Sequence, residues 1–207
     1  MSLCILKMDE ENIESLINEA IDDHNIKIQD IYQSGLNVGM SEVLRKHKEN
    51  IYDLSEVIVC ADVLNKGIDF LKNYGDITND INFKILLSVV SGDTHEIDKN
   101  ILKIMLKATG YDVLDIGVNV DNKTIIRESI KNSVDIICLS SMMTTTRGEM
   151  QKLINELNSM KIKNKLMVLV GGSSITKEFA NKIGSDGYAS NAPLAVELIK
   201  KILKEKI

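Results

Sequence analysis

Asp93 and His95 stand two residues apart in the stretch Ser91-Gly92-Asp93-Thr94-His95-Glu96-Ile97-Asp98. A carboxylate that accepts the proton of one imidazole nitrogen fixes the ring's tautomer and makes the other nitrogen a better metal donor. A lone loop histidine is, by default, a solvated side chain. One imidazole does not complete a zinc site, which takes three or four protein ligands. It can supply a single axial ligand to a metal already held by a macrocycle. Two further clusters carry small hydroxyls or no side chain at all. Ser140-Ser141-Met142-Met143-Thr144-Thr145-Thr146 offers groups that cap a helix or bond a polar ligand. Gly171-Gly172 makes a tight turn, or lets backbone approach a ligand without a Cβ in the way. Met142 and Met143 read first as core filler.

Each cluster follows a short apolar run. The runs are Ile85–Val90, Val113–Ile116, Ile136–Leu139 and Leu166–Val170, with a weaker one at Gly187–Ala189. Helical segments alternate with them near Lys99–Thr109, Asn122–Asn132, Arg147–Met160, Thr176–Ile183 and Ala192–Lys204. Runs that are apolar throughout and alternate with helices predict a parallel sheet covered on both faces. Five such units fit a doubly wound, flavodoxin-like (Rossmann-like) α/β domain. Its ligands bind beyond the carboxyl ends of the strands, where the winding direction switches. The three clusters are expected to converge there.

The first part of the chain has a different period. Ile13, Leu16, Ile17, Ala20 and Ile21 mark one helix face, and Ile28, Ile31, Tyr32 and Leu36 continue it. Leu54, Val57, Ile58, Ala61, Leu64, Ile68 and Leu71 mark a longer helix with Asp53 or Ser55 as its cap. Arg45–Asn50 is a charged run expected to face solvent. Short amphipathic helices with no strand pattern predict a helical bundle. The turn-rich stretch Tyr74–Asp80 reads as the linker. The expected domains are a helical bundle over 1–78 and the α/β domain over 79–207.

Composition removes several classes. The chain has 207 residues, 44% apolar and 27% charged, with a net charge of −5. It is long enough to bury a core without staples. An acidic balance with 4% aromatics argues against a nucleic-acid surface, which needs basic stripes and stacking rings. No apolar run reaches the ~20 residues needed to cross a bilayer, and no secretory leader pattern opens the sequence. Cys4, Cys60 and Cys138 are odd in number and set among apolar neighbours, as buried thiols of a reducing compartment would be. The expectation is a cytoplasmic protein with no nucleic-acid or membrane partner.

Taken in order, the clusters resemble the cobalamin-binding motif of corrinoid proteins: D-x-H-x-x-G, then S-x-L, then G-G. The matching residues are Asp93-Thr94-His95, Ser140-Ser141-Met142 and Gly171-Gly172. Neighbouring text agrees, from Lys99-Asn100-Ile101 through Gly110-Tyr111-Asp112-Val113 to Asp186-Gly187-Tyr188 and Ala192-Pro193. The helical half resembles the cap bundle of corrinoid subunits of methanol- and methylamine-type methyltransferase systems. The resemblance thus spans nearly the whole chain. Two positions depart from it. Met142 replaces the leucine at nearly constant volume. Asp98 replaces the glycine, adding bulk and negative charge where the family's nucleotide tail passes, which predicts weakened binding or altered tail placement.

The resemblance implies a carrier that is not expected to catalyse alone, with no catalytic residue assigned. Cobalamin would bind with its own lower base displaced and His95 as the axial metal ligand. Asp93 with Ser140 would form a hydrogen-bonded relay. Thr94, Asp98, Met142, Thr144, Gly171, Gly172 and Tyr188 complete the implied cofactor-binding set. The cap bundle would cover the upper face while the cofactor cycles between cob(I)alamin and methylcobalamin, cobalt carrying the methyl group. A substrate-specific methyltransferase would load it, and a methyl-acceptor methyltransferase would pass it on to tetrahydrofolate or a thiol coenzyme. The reading leaves room for a homo-oligomer. Three rivals stand beside it: a cobalamin-binding sensor module, a degenerate relative with weakened cobalamin binding, and an unrelated flavodoxin-like module such as a phosphoryl receiver. The last would need an aspartate where strand 3 ends in Ser140. No G-x-G-x-x-G follows the first strand, and no P-loop occurs.

Overall fold

The computed structural model describes residues 1–75 and 83–204. The chain divides into two compact units, Met1–Ile81 with Lys107–Gly110, and Asn82–Leu106 with Tyr111–Ile207. The linker expected over Tyr74–Asp80 falls mostly outside the described residues.

The first unit is helical. It comprises α1 (Ser2–Lys7), α2 (Ile13–Asp22), α3 (Ile28–Asp30), a π-helical turn Ile31–Leu36, α4 (Asn37–Lys48) and α5 (Leu54–Leu71). A 3-10 turn, Lys72–Tyr74, follows α5. The expected stripes are the buried ones: Ile13, Ile17 and Ala20 from α2, Ile31, Tyr32 and Leu36 from the π turn, and Val57, Leu64 and Leu71 from α5. Of the two candidate caps for α5, Asp53 is the one used. Its carboxylate accepts from the Glu56 N–H (2.9 Å), and the Glu56 carboxylate accepts from the Asp53 N–H (2.7 Å). Such a capping box contributes about 1 kcal/mol to the helix start. Arg45 ion-pairs with Glu42 and Glu49 on a half-exposed face, as expected for that charged run. Two elements were not foreseen, α1 and the helical course of 37–44. Gly39 and Met40 are buried there, Gly39 close against Ser2 and Ile5 of α1, so tertiary packing rather than a clear apolar stripe holds these turns.

The second unit carries the five predicted strands: β1 (Lys84–Val89), β2 (Asp112–Asp115), β3 (Ile136–Ser140), β4 (Met167–Gly171) and β5 (Gly187–Ala189). All pair in parallel, in the order β2-β1-β3-β4-β5. This is the flavodoxin-like order, whose winding reverses between β1 and β3. Helices α6 (Ile97–Ala108), α7 (Asn122–Lys131), α8 (Gly148–Ser159), α9 (Lys177–Ile183) and α10 (Ala192–Lys204) make the crossovers and the C-terminal cover. Leu86, Val90, Ile137, Leu139, Val168 and Val170 form one core with Ile125 of α7, Leu153 of α8 and Ala180 of α9. Strand register matters most for the site. Val89 pairs with Ser140, Ser140 with Gly171, and Gly171 with Ala189, so four strand ends form one row at the carboxyl edge. No helix among the described residues is long and apolar enough to cross a membrane.

Candidate functional site

The β1–α6 loop leaves the row at Val89 and carries Asp93 and His95. Asp93 is fully buried. Its Oδ1 accepts from the His95 backbone N–H (3.1 Å) and from the ring Nδ1–H (2.7 Å). Its Oδ2 faces the β3–α8 loop. There it accepts from the N–H groups of Met142 (2.7 Å) and Met143 (3.3 Å), and from the hydroxyls of Thr146 (3.3 Å) and Ser141 (3.4 Å). Burial pushes the Asp93 carboxyl up, but the bonds from His95, Met142 and Met143 outweigh it and hold it down at about 2. Asp93 is therefore ionised and accepts only, so the proton between it and the ring belongs to Nδ1. The His95 side chain is 55% exposed, and its Nε2 has no hydrogen-bond partner among the described residues. The result is a half-exposed imidazole whose Nδ1 carries a proton, so that the neutral ring has its lone pair on Nε2. No cluster of three or more metal-ligating side chains occurs among the described residues.

The expected Asp93–Ser140 relay is not formed. Ser141 takes the place of Ser140 beside Asp93, joined by Thr146, whose hydroxyl lies 2.8 Å from that of Ser141. Sequence reading missed both, although Thr146 belongs to the threonine run it singled out. The Ser140 Oγ is instead buried without a partner among the described residues. It lines a narrow cavity between the sheet and helices α6 and α10, together with Leu87, Ser88, Cys138, Leu102 and Gly171. Asp98, in the first turn of α6, and Lys99 line the same cavity. Asp98 is exposed, whereas Lys99 is buried and bonds both Asp115 oxygens at 2.6 and 2.7 Å.

Gly171 and Gly172 also line the cavity. Gly172 has φ 111°, and a Cβ there would sit 2.2 Å from the Ser141 carbonyl oxygen, so only glycine lets the β4 end pass that close. The loop behind it is tied to the β3 end. The Ser174 hydroxyl donates to the Ser141 carbonyl (3.0 Å), and Arg147 donates to the Ser174 carbonyl (3.2 Å) while covering the Phe179 ring. Thr94 and Thr144 are exposed on their loops. Tyr188 is not brought to this cavity. It packs against the α7–α9 core, because alternation along β5 sends it to the other face of the sheet; its neighbour Ala189 lines the cavity.

A family model described as B12 binding domain matches residues 83–197, and a second with the same description matches residues 1–72. A corrinoid protein of Desulfitobacterium hafniense is 34% identical over 203 residues, covering 96% of this chain and 94% of its own length. A dimethylamine corrinoid protein of Methanosarcina barkeri is 34% identical over 177 residues, 84% of this chain and 83% of its own. The crystal structure of the methanol:cobalamin methyltransferase complex MtaBC from Methanosarcina barkeri matches with a TM-score of 0.86 at 26% identity, over 98% of this chain and 78% of that one. A buried Asp93 bonded to a half-exposed His95 at the carboxyl edge of a β2-β1-β3-β4-β5 sheet, with two B12-binding matches spanning most of the sequence, leads to one conclusion: the chain belongs to the cobalamin-binding corrinoid proteins of methyltransferase systems.

Proposed function

We propose that this chain is a methyl carrier that holds its corrinoid with the cofactor's own base displaced and His95 Nε2 in its place. The observation that carries the reading is the Nδ1–H bond to ionised Asp93 (2.7 Å), which leaves Nε2 as the unprotonated, outward nitrogen.

The residues present fit a bound corrinoid with its nucleotide tail in the sheet. The unpartnered Ser140 hydroxyl lines an otherwise largely apolar cavity, a place where a ring with one acceptor atom replaces a missing hydrogen bond. Gly171 and Gly172 leave the part of that cavity beyond the β4 end without side chains. Asp93, Thr94, His95, Asp98, Ser140, Met142, Gly171 and Gly172 remain the assigned contacts, with Thr144 and Tyr188 kept only on the strength of the resemblance. When bound, the cofactor supplies a cobalt centre that accepts and releases a methyl group.

The protein's own work is ligation and proton control. Asp93 holds the Nδ1 proton and thereby sets how strongly Nε2 donates. The Met142 and Met143 amides, with Ser141 and Thr146, keep Asp93 ionised while buried. We assign residues 1–78 as the cap and 79–207 as the cofactor-holding part. A substrate-specific methyltransferase would deliver the methyl group, and a second methyltransferase would remove it. The methanol and dimethylamine systems of the relatives support partners of this class.

The test is reconstitution with hydroxocobalamin. Wild type should show a corrinoid spectrum with an axial nitrogen ligand, and His95→Ala should lose that ligand while remaining folded. With 15N-labelled histidine, a wild-type cob(II) spectrum without 15N splitting, or one identical to that of His95→Ala, would remove His95 from the role.

A further inference from the structure

His95 sits on a turn that has no regular hydrogen-bonding pattern of its own. From Ser91 to Glu96 the chain is neither helix nor strand. Within the turn, the Asp93 N–H donates to the Val90 carbonyl (3.1 Å). The Asp93 side chain can orient the ring only as well as the Asp93 backbone is itself held.

A residue 26 positions further along supplies that hold. The Asn119 Oδ1 accepts from the Gly92 N–H (2.7 Å), and the Asn119 N–H donates to the Asp93 carbonyl (2.9 Å). One residue thus grips the turn on both sides of the Gly92–Asp93 peptide bond. The gripping segment is fixed to the same strand that launches the turn. The Val89 N–H donates to the Gly117 carbonyl (3.0 Å), the Val120 N–H donates to the Val89 carbonyl (3.1 Å), and Val90 and Val120 form a parallel bridge. Asn119 occupies the left-handed region at φ 53°, which asparagine tolerates better than other residues with a Cβ. Gly92, at φ 82°, turns its N–H towards that amide.

We infer that Asn119 is a positioning residue for the axial ligand: its side-chain oxygen fixes the Gly92–Asp93 backbone, so that the Asp93–His95 pair presents Nε2 at one height above the sheet. The inference rests on His95 being the ligand. Asn119 touches neither the imidazole nor, on this reading, the cofactor. It acts through two backbone groups. Water can replace the lost acceptor at this exposed position, so the fold should survive its removal, but water does not fix the direction of the Gly92 N–H.

Two substitutions separate the side chain from the backbone. Asn119→Gly keeps the left-handed conformation and the Asn119 N–H bond, and deletes only the Oδ1 acceptor. Asn119→Asp keeps an acceptor of the same shape. Each full-length protein, produced with 15N-labelled histidine, is loaded with hydroxocobalamin and reduced to the cob(II) state, and the fraction showing the two-line splitting of a 15N ligand, as against the three-line splitting of the cofactor's own base, is read by electron paramagnetic resonance. The Gly92 amide exchange rate is read by NMR on the cobalamin-free chain. Asn119→Gly should raise the ratio of cobalt without a histidine ligand to histidine-ligated cobalt about three- to tenfold, as loss of one net hydrogen bond does, and speed Gly92 exchange by a similar factor. Asn119→Asp should restore both. Wild-type values in Asn119→Gly, or equal impairment in Asn119→Asp, would overturn the inference. If His95→Ala retains the two-line 15N splitting, the ligand assignment fails by itself, and Gly92 exchange still decides whether Asn119 holds the turn.

Discussion

Replacing Asp93 by Asn tests the electrostatic core of the site, because the structure dictates both the size and the pH dependence of the effect. The carboxyl is held at about 2, against 3.8 for an ordinary aspartate. That preference for the ionised form corresponds to about 2 kcal/mol of folding stability at neutral pH. The sign follows from linkage. A carboxyl lowered in the folded state stabilises it fully above pH 4 to 5, and the contribution disappears as pH falls from about 4 to about 2. An amide also mispairs. Both edges of Asp93 face donors, His95 on one side and the Met142 and Met143 N–H groups on the other. One edge of Asn must therefore point N–H at N–H, adding about 1–2 kcal/mol. If the amide nitrogen turns to His95, Nδ1 must become the acceptor. The ring proton then moves to Nε2 and blocks ligation. The expected loss is about 3–4 kcal/mol at pH 7, falling by about 2 kcal/mol by pH 2. Urea unfolding of both proteins at pH 7, 5 and 3, with m-values compared for two-state behaviour, measures it. A stability gap below about 1 kcal/mol at pH 7, or one independent of pH, would refute this account of how Asp93 is held.

Ser140→Ala should act with opposite signs on the free and loaded protein. Removing an unpartnered buried hydroxyl should leave the free chain equal or up to about 1 kcal/mol more stable, yet weaken cobalamin binding several-fold. Thermal melts with and without hydroxocobalamin measure both, and a variant that binds as tightly as wild type sinks the cavity assignment. Gly172→Ala places a Cβ against the Ser141 backbone at positive φ, so a destabilisation of about 2–4 kcal/mol is expected; an unfolding midpoint matching wild type contradicts it. Asp98→Gly removes an exposed carboxylate from the cavity lining and should tighten binding of the anionic nucleotide tail. A spectroscopic titration beside wild type checks this, and equal or weaker affinity refutes it.

The sequence alone determined the five strands and the longer helices, because local periodicity determines them, whereas α1 and the course of 37–44 were decided by tertiary packing. Strands β1, β3 and β4 appear as apolar runs with ends accurate to a residue or so. The Asp93–His95 pair was legible for the same reason: two residues apart, their contact needs only a turn. The partners of Asp93 were not legible. Ser141, Met142 and Thr146 lie 48 to 53 positions away, and which hydroxyl arrives is decided by the register of β1 against β3. Side chains alternate along a strand, so Ser140 turns to the cavity and Ser141 to the carboxylate. The same alternation moved Tyr188 away from the cavity. Asn119 gave no signal at all, since its role depends on a backbone angle and on a β2–α7 loop that runs beside the end of β1. Types and periods are properties of neighbouring residues and can be read along the chain; the choice between adjacent serines is a property of strand pairing and exists only once the sheet has formed.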